Sequence, residues 1–214
     1  MDEYGSTVFL LILVVVAVVF AVKGLQIVPQ ANVRIVERLG KYSRTLKPGI
    51  NFIIPFIEIV LRPDISTYDK AITASGGSNS QMRYLSSSKG DVPLAEIIMD
   101  PPSIDAISKD NALVYPDSIV FFRIVDPVKA VYEIENLGLA LFKLIETTLR
   151  QQIGVMNADQ IITGRESIGN AVKQALEEAS GTWGVVISRV ELEEIRFDEE
   201  VTTALSAQRA AELE

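Results

Sequence analysis

Asp100 and Asp105 flank Pro101-Pro102-Ser103-Ile104, and Lys109-Asp110-Asn111 follows close behind. A carboxylate beside an ammonium is minimal equipment for moving a proton. The same pairing more often makes a solvated surface ion pair. Glu191, Glu193 and Glu194 offer oxygens that suit a hard cation, or equally the acidic end of a solvated strand. What the chain lacks narrows the field further. His and Cys are absent from its 214 residues. That removes the usual general base near neutral pH, the commonest transition-metal ligand, thiolate metal sites, and the Ser–His and Cys–His nucleophile pairs. No G-x-S-x-G, G-K-[ST] or H-E-x-x-H spacing occurs. The expectation is no catalytic residue, no metal site and no cofactor. A net charge of −8, with no clustered basic face, also argues against a nucleic-acid partner.

The residue types that remain informative are apolar and basic, and they sit near the start. Tyr4 to Val22 carries no charge and is almost wholly aliphatic or Phe from Val8 onward. At 1.5 Å per residue this stretch reaches ~28 Å, against a bilayer core of ~30 Å. A secretory signal would want a basic start and a small-x-small cleavage site. The chain opens Met1-Asp2-Glu3 and continues Lys23-Gly24-Leu25. A retained anchor over residues 1–26 is expected. Acids precede the apolar run, and Lys23, Arg34, Arg38 and Lys41 follow it. The bias of Lys and Arg predicts a single-pass protein with its N-terminus outside and the rest in the cytoplasm. The membrane would be the cell inner (plasma) membrane, or the mitochondrial inner membrane in a eukaryote.

Behind the anchor the pattern reads as strands first, then helices. "NVRIVERLGKY" suits a strand closing in a turn. "LKPGI" is a Pro-Gly turn, and "INFIIPFIEIV" is a second β-rich run broken at Pro55. Residues 64–92 contain "SGGSNSQ" and "SSSKGD", which read as a mobile Ser/Gly-rich insert. "EIIMDPPSIDAIS" and "LVYPDSIVFFRIV" return to strand composition until Asp126-Pro127. Leu137, Leu141, Leu144, Ile145, Leu149 and Ile153 then recur at helical steps. Thr163 and Glu166 have capping-box spacing before a helix lined by Ile168, Val172, Ala175, Leu176 and Ala179, with Gly181 past its end. "GVVISRVELEEI" is a further strand, and the Ala- and Glu-rich text over 198–214 reads as the start of a long helix. The expectation is an α+β domain over 27–197, preceded by an anchor and followed by a helix root.

"VPQANVRIVERLGKYSRTLKPGINFIIPF", "ISKDNALVYPDSIVFFRIVDPVKAVYEIEN", "TTLRQQIGVMNADQIITGRESI" and "EASGTWGVVISRVELEEI" resemble, in this order, the stomatin/prohibitin/flotillin/HflK-C (SPFH, band 7) family. The look is that of its bacterial stomatin-like branch. The resemblance implies antiparallel strands with packed helices and a C-terminal coiled coil, of which 198–214 would be the start. It departs from the family pattern at the insert, 64–92, and at Pro116, which falls inside a strand of the family. It implies a membrane-anchored, non-enzymatic scaffold that forms a homo- or hetero-oligomer of SPFH subunits and organises a membrane microdomain or client proteins. The alternative is a regulatory subunit around a membrane protease, FtsH-like or with an NfeD-type partner. It also gives the basic–apolar stretch a role, because family members lay apolar loops of this domain against the lipid bilayer. Ile50, Phe52, Ile53, Ile54 and Phe56 would then meet lipid, and Arg38, Lys41, Arg44 and Lys47 would meet anionic head groups. The same residue types would equally serve a core strand with a solvated basic face.

Overall fold

The computed structural model describes residues 2–63, 65–72, 78–85 and 89–198. The helix expected from Glu199 onward lies outside them. From the N-terminus run α1 Asp2–Gly24, β1 Leu25–Val28, β2 Asn32–Arg38, β3 Lys41–Leu46, β4 Gly49–Phe52 and β5 Glu58–Val60. Next come β6 Ser66–Ile72, β7 Ser78–Tyr84, β8 Asp91–Pro93, β9 Ile97–Met99, β10 Ala106–Ile107 and the long β11 Leu113–Ile124. Helices α2 Pro127–Tyr132, α3 Leu137–Gly154, α4 Ala158–Thr163 and α5 Arg165–Ser180 lead through a 3-10 turn, Gly181–Trp183, into β12 Val185–Phe197. The chain divides into two compact units: Met1–Pro63 with Ser86–Leu94, and Asp64–Leu85 with Ala95–Glu214.

In the first unit, α1 carries Thr7–Gly24, a stretch long and apolar enough to cross a membrane by length and composition. β1 follows with no intervening residue and pairs antiparallel with β4. β2 is the centre of a four-stranded sheet. One of its edges takes β3, and the other is shared by β5 at Val36–Arg38 and β8 at Asn32–Arg34. Val28, Val36, Leu46 and Ile53 form the apolar core, with Val60 packed against it. The strand expected in "NVRIVERLGKY" is β2, and it closes as expected in a turn, at Leu39-Gly40, beyond which β3 begins. The run "INFIIPFIEIV" is two strands, β4 and β5, separated at Pro55.

The second unit repeats the device of a long strand whose edge is shared. β11 pairs with β12 along its length, while β10 and β9 divide its other edge. Pro116 has no N–H to give the ladder, and the register slips between Pro116 and Ser118. The bulge is how this strand tolerates the proline. α3 buries Leu137, Leu141, Ile145, Leu149 and Ile153, and α5 buries Ile168, Val172 and Leu176. These match the predicted stripes, apart from Leu144, Ala175 and Ala179, which are half-buried.

Three local expectations need correction. The insert over 64–92 was expected to be loop, yet β6 and β7 pair along seven positions from Ser66↔Tyr84 to Ile72↔Ser78. Ladder hydrogen bonds need no apolar side chains, and the base of the hairpin is held by the buried Ile65, Ser66 and Thr67. The Tyr68 ring adds a contact to Phe142 at 5.1 Å between centroids. Second, Thr163 does not cap α5. It ends α4, and its hydroxyl donates back to the Asp159 carbonyl at 3.0 Å. The reciprocal box lies earlier, where the Asn157 N–H donates to Gln160 Oε1 at 3.0 Å. Third, Gly181 does follow the last residue of α5, but with right-handed φ −57, so the chain turns on through the 3-10 segment. Gly184, at φ +68, is the left-handed residue that releases it into β12.

Candidate membrane-docking surface

Three short strands of the first unit, β1, β4 and β5, turn large apolar side chains outward. In β1, Leu25 and Ile27 are exposed while Val28 is buried and Gln26 half-buried. Across the ribbon, Leu25 faces Phe52 and Ile27 faces Ile50. Directly opposed residues share a face, so four large apolar side chains form one exposed ladder. Gln26 points the other way, where its Oε1 accepts from Arg34 Nη1 at 2.9 Å. Arg34 is itself buried and meets Asp91 Oδ1 at 2.6 Å. β5 repeats the inversion, with Glu58 buried and its neighbour Ile59 exposed. A half-buried strand in water shows the opposite alternation, polar outward.

α1 is joined closely to this ladder. Gly24 is buried, and its carbonyl accepts from Ile53 N at 2.8 Å. A Cβ on Gly24 would stand 2.6 Å from the Phe52 ring and 2.7 Å from the Ile53 carbonyl. Only glycine permits that approach. Phe20 of α1 also meets the Phe56 ring at 6.1 Å between centroids.

Phe56 lies in the turn between β4 and β5, closed by Glu58 N donating to the Ile54 carbonyl at 2.9 Å. Its φ is +73, and Leu39, at the tip of the β2–β3 hairpin, has φ +50. The two turns touch, since Leu39 N donates to the Ile57 carbonyl at 3.2 Å. A left-handed backbone costs a non-glycine residue roughly 1–2 kcal/mol, and Asn, Asp or Gly is its usual occupant. Here it is held by a Leu that is 81% exposed and a Phe that is 74% exposed. Neither gains core burial in exchange.

A buried carboxylate pins the surface from below. Glu58 Oε1 accepts from Arg38 Nη2 at 2.7 Å and from Arg44 Nη1 at 2.8 Å, and Oε2 accepts from Ile54 N at 2.9 Å. The Ile54 N–H, then the two guanidiniums, outweigh burial and lower the Glu58 carboxyl from 4.5 to about 2. Arg44 Nη2 also donates to the Phe52 carbonyl at 2.8 Å. One anion thus fixes the turn, the β4 end and the two basic strands together.

The SPFH domain / Band 7 family model matches residues 26–214. The chain belongs to this family. Among similar proteins, an uncharacterized protein of Methanothermobacter thermautotrophicus is 35% identical over 202 residues, covering 94% of this chain and 54% of that protein. The uncharacterized protein MJ0827 of Methanocaldococcus jannaschii is 33% identical over 204 residues, covering 95% and 88%. Stomatin-like protein 2, mitochondrial, of Homo sapiens is 29% identical over 185 residues, covering 86% and 44%. The chain thus spans about half the length of the first and third of these relatives.

Within this SPFH domain the residues expected to meet lipid separate into groups. Ile50, Phe52, Ile54 and Phe56 are exposed. Ile53 is corrected: it is 6% exposed and belongs to the core cluster, because its backbone is bound to Gly24 and its side chain turns inward. Lys41 and Lys47 are exposed, while Arg38 and Arg44 spend their charge partly on Glu58. Leu25, Ile27, Leu39, Ile57 and Ile59 join the surface, although sequence reasoning had not selected them. The i, i+2 spacing of Leu25 and Ile27 was the available signal.

Three of the residues weighed for chemistry have identified partners within the protein: Asp110, Asp105 and Glu191. Asp110 accepts from Ser108 Oγ and from the N–H of Ala158, at the start of α4. The Ser108 hydroxyl, and then that N–H, hold its carboxyl below the usual range. Asp105 lies 3.6 Å from Arg150 Nη2, and Glu191 lies 3.2 Å from Arg189 Nη1. A Ser-x-x-Lys spacing does occur at Ser86 to Lys89, but Ser86 lies outside the described residues.

Proposed function

We propose that this chain is a membrane-anchored SPFH scaffold subunit whose first unit beds into the bilayer surface beside its own span. The observation that carries the reading is the pair of exposed apolar residues, Leu39 and Phe56, on left-handed backbone in touching turns. Strain held without core burial points to a function served elsewhere. Lipid supplies the missing burial, since a fully buried Leu or Phe gains ~1.5–3 kcal/mol over an exposed one. The ladder of Leu25, Phe52, Ile27 and Ile50 extends the same surface from the end of α1. Lys41 and Lys47 supply charge for anionic head groups. Held in one plane, many such units assemble through weak lateral contacts, because anchoring raises their effective concentration. The scaffold then organises a membrane microdomain or client membrane proteins, as family membership suggests.

The absence of Cys makes the test direct. A single Phe56→Cys or Ile50→Cys variant, labelled with an environment-sensitive fluorophore and reconstituted in vesicles, should emit as in an apolar medium. Brominated acyl chains should quench it. Water-like emission, unquenched, would overturn the docking reading. Sedimentation of the full chain as a monomer in mild detergent would overturn the scaffold reading.

A further inference from the structure

We infer that the groove at the foot of α1 is a binding site for one anionic phospholipid. The groove encloses about 730 Å³ and begins at Val22 and Lys23, the last turn of the span. Among the described residues its lining includes the cations Lys23 and Arg62, from two separate segments of the first unit, and Lys89, which already has a partner. Its walls include Phe56 and Ile59, both exposed. Its lining holds one carboxylate, Glu58, which already accepts from Arg38, Arg44 and the Ile54 N–H. The lining is therefore cationic in effect, with an apolar flank. This inference rests on the docking reading, because α1 sets the groove at head-group depth only if it spans.

The occupant follows from this mixture. A guanidinium offers a phosphodiester two parallel donors, and an ammonium adds a point charge. Val22 and Phe56 give the glycerol and the first methylenes an apolar bed. A free phosphate would use the cations and leave the apolar flank in water. A zwitterionic lipid would bring a choline cation beside Lys23, Arg62 and Lys89. An anionic lipid matches both halves. Lys23 Nζ lies 5.8 Å from the centre of the Phe56 ring, so the turn that carries the exposed ring also neighbours the head-group cation.

The test uses native mass spectrometry of the full chain in mild detergent with equimolar phosphatidylglycerol and phosphatidylcholine. One phosphatidylglycerol per chain should be retained in preference. The Lys23→Gln, Arg62→Gln double variant should lower that retention about tenfold or more, at roughly a kilocalorie per cation. Lys109→Gln with Arg165→Gln makes the same change in net charge outside the groove and should retain the lipid. Equal retention of the two lipids, or retention untouched by the double variant, would overturn the site. Displacement of the lipid by millimolar inorganic phosphate would reassign it to a phosphate site. The fluorophore at Ile50→Cys reports docking separately. If it stays quenched by brominated lipid while selectivity is absent, the groove inference fails and the docking reading stands.

Discussion

The two units of this chain carry opposite strand patterns. In the second unit, β11 buries Val114, Val120, Phe122 and Ile124, and β12 turns Arg189, Glu191, Glu193 and Glu194 toward solvent or half-exposed positions. In the first unit, β1, β4 and β5 turn Ile27, Ile50 and Ile59 outward and hold Gln26 and Glu58 inward. The alternation is local in both: β2 is buried on both sides from Val33 to Val36, and β12 exposes Glu193 and Glu194 side by side. On the docking proposal, what changes is the medium that the outer side meets. A period-2 pattern reports that a strand has two different sides, and the partners of its polar residues report which side is wet.

Truncation separates the units most sharply. Phe122→Ala, at a fully buried site of the second unit, should cost about 3–5 kcal/mol in denaturant unfolding. Ile50→Ala, at a residue 79% exposed, should move stability by less than about 0.5 kcal/mol while weakening quenching by brominated lipid. Equal costs would erase the comparison. Next in size is the ion pair beneath the ladder. Asp91→Ala strands the buried Arg34 and removes the support that orients Gln26. Its cost should be about 3 kcal/mol, at the low end for a broken buried pair, because the Asp91 side chain is 11% exposed. A change within ~0.5 kcal/mol would show that the inward polar side is decorative.

The pH dependence is a gentler probe. Folding lowers the Glu58 carboxyl from 4.5 to about 2, so the folded state binds that proton more weakly than the unfolded one. Its stabilisation is fully present above the higher value and is lost as pH falls through the lower one. The gap in unfolding midpoint between the natural chain and Glu58→Gln should therefore be wide at pH 7 and close between about 4.5 and about 2. A gap constant with pH would remove the clamp from the account. The smallest effect runs against intuition. Leu39→Asn or Phe56→Asn relieves a left-handed strain and should raise stability in detergent by up to about 1 kcal/mol, yet each should loosen docking. Loss of stability on either change would mean that the exposed side chain packs on protein.

Sequence reading captured the parts whose period is long. α3 and α5 declared themselves through Leu141, Ile145, Leu149 and Ile168, Val172, Leu176. Short elements escaped. α4 has six residues, too few for a stripe, so its cap at Asn157 does not show, and Thr163, which ends it, reads as the cap of α5. β6 and β7 hid behind Ser, Gly and Asn, because backbone pairing leaves no compositional trace. In the docking surface, composition identified the stretch but not the sides. Ile53 groups outward with its apolar neighbours by composition, yet it lies out of phase with the exposed Ile50, Phe52, Ile54 and Phe56, and its N–H is bound to the Gly24 carbonyl. Leu39 and Phe56 owe their importance to φ, which no residue count reveals.

β1 begins at the residue after α1 ends, and Gly24 is wedged against Phe52 and Ile53. The span and the ribbon therefore share a stiff elbow with no slack in it. A tether with slack would let the bilayer thicken, thin or curve unnoticed. If α1 spans a bilayer, this elbow would pass a change in helix tilt to the β1–β4 ribbon. A flexible Gly-Ser insertion between Gly24 and Leu25 should leave the chain anchored and make quenching at Ile50→Cys indifferent to acyl-chain length, where the uninterrupted chain follows it. Under the docking proposal, a rigid hinge there would make α1 report membrane thickness.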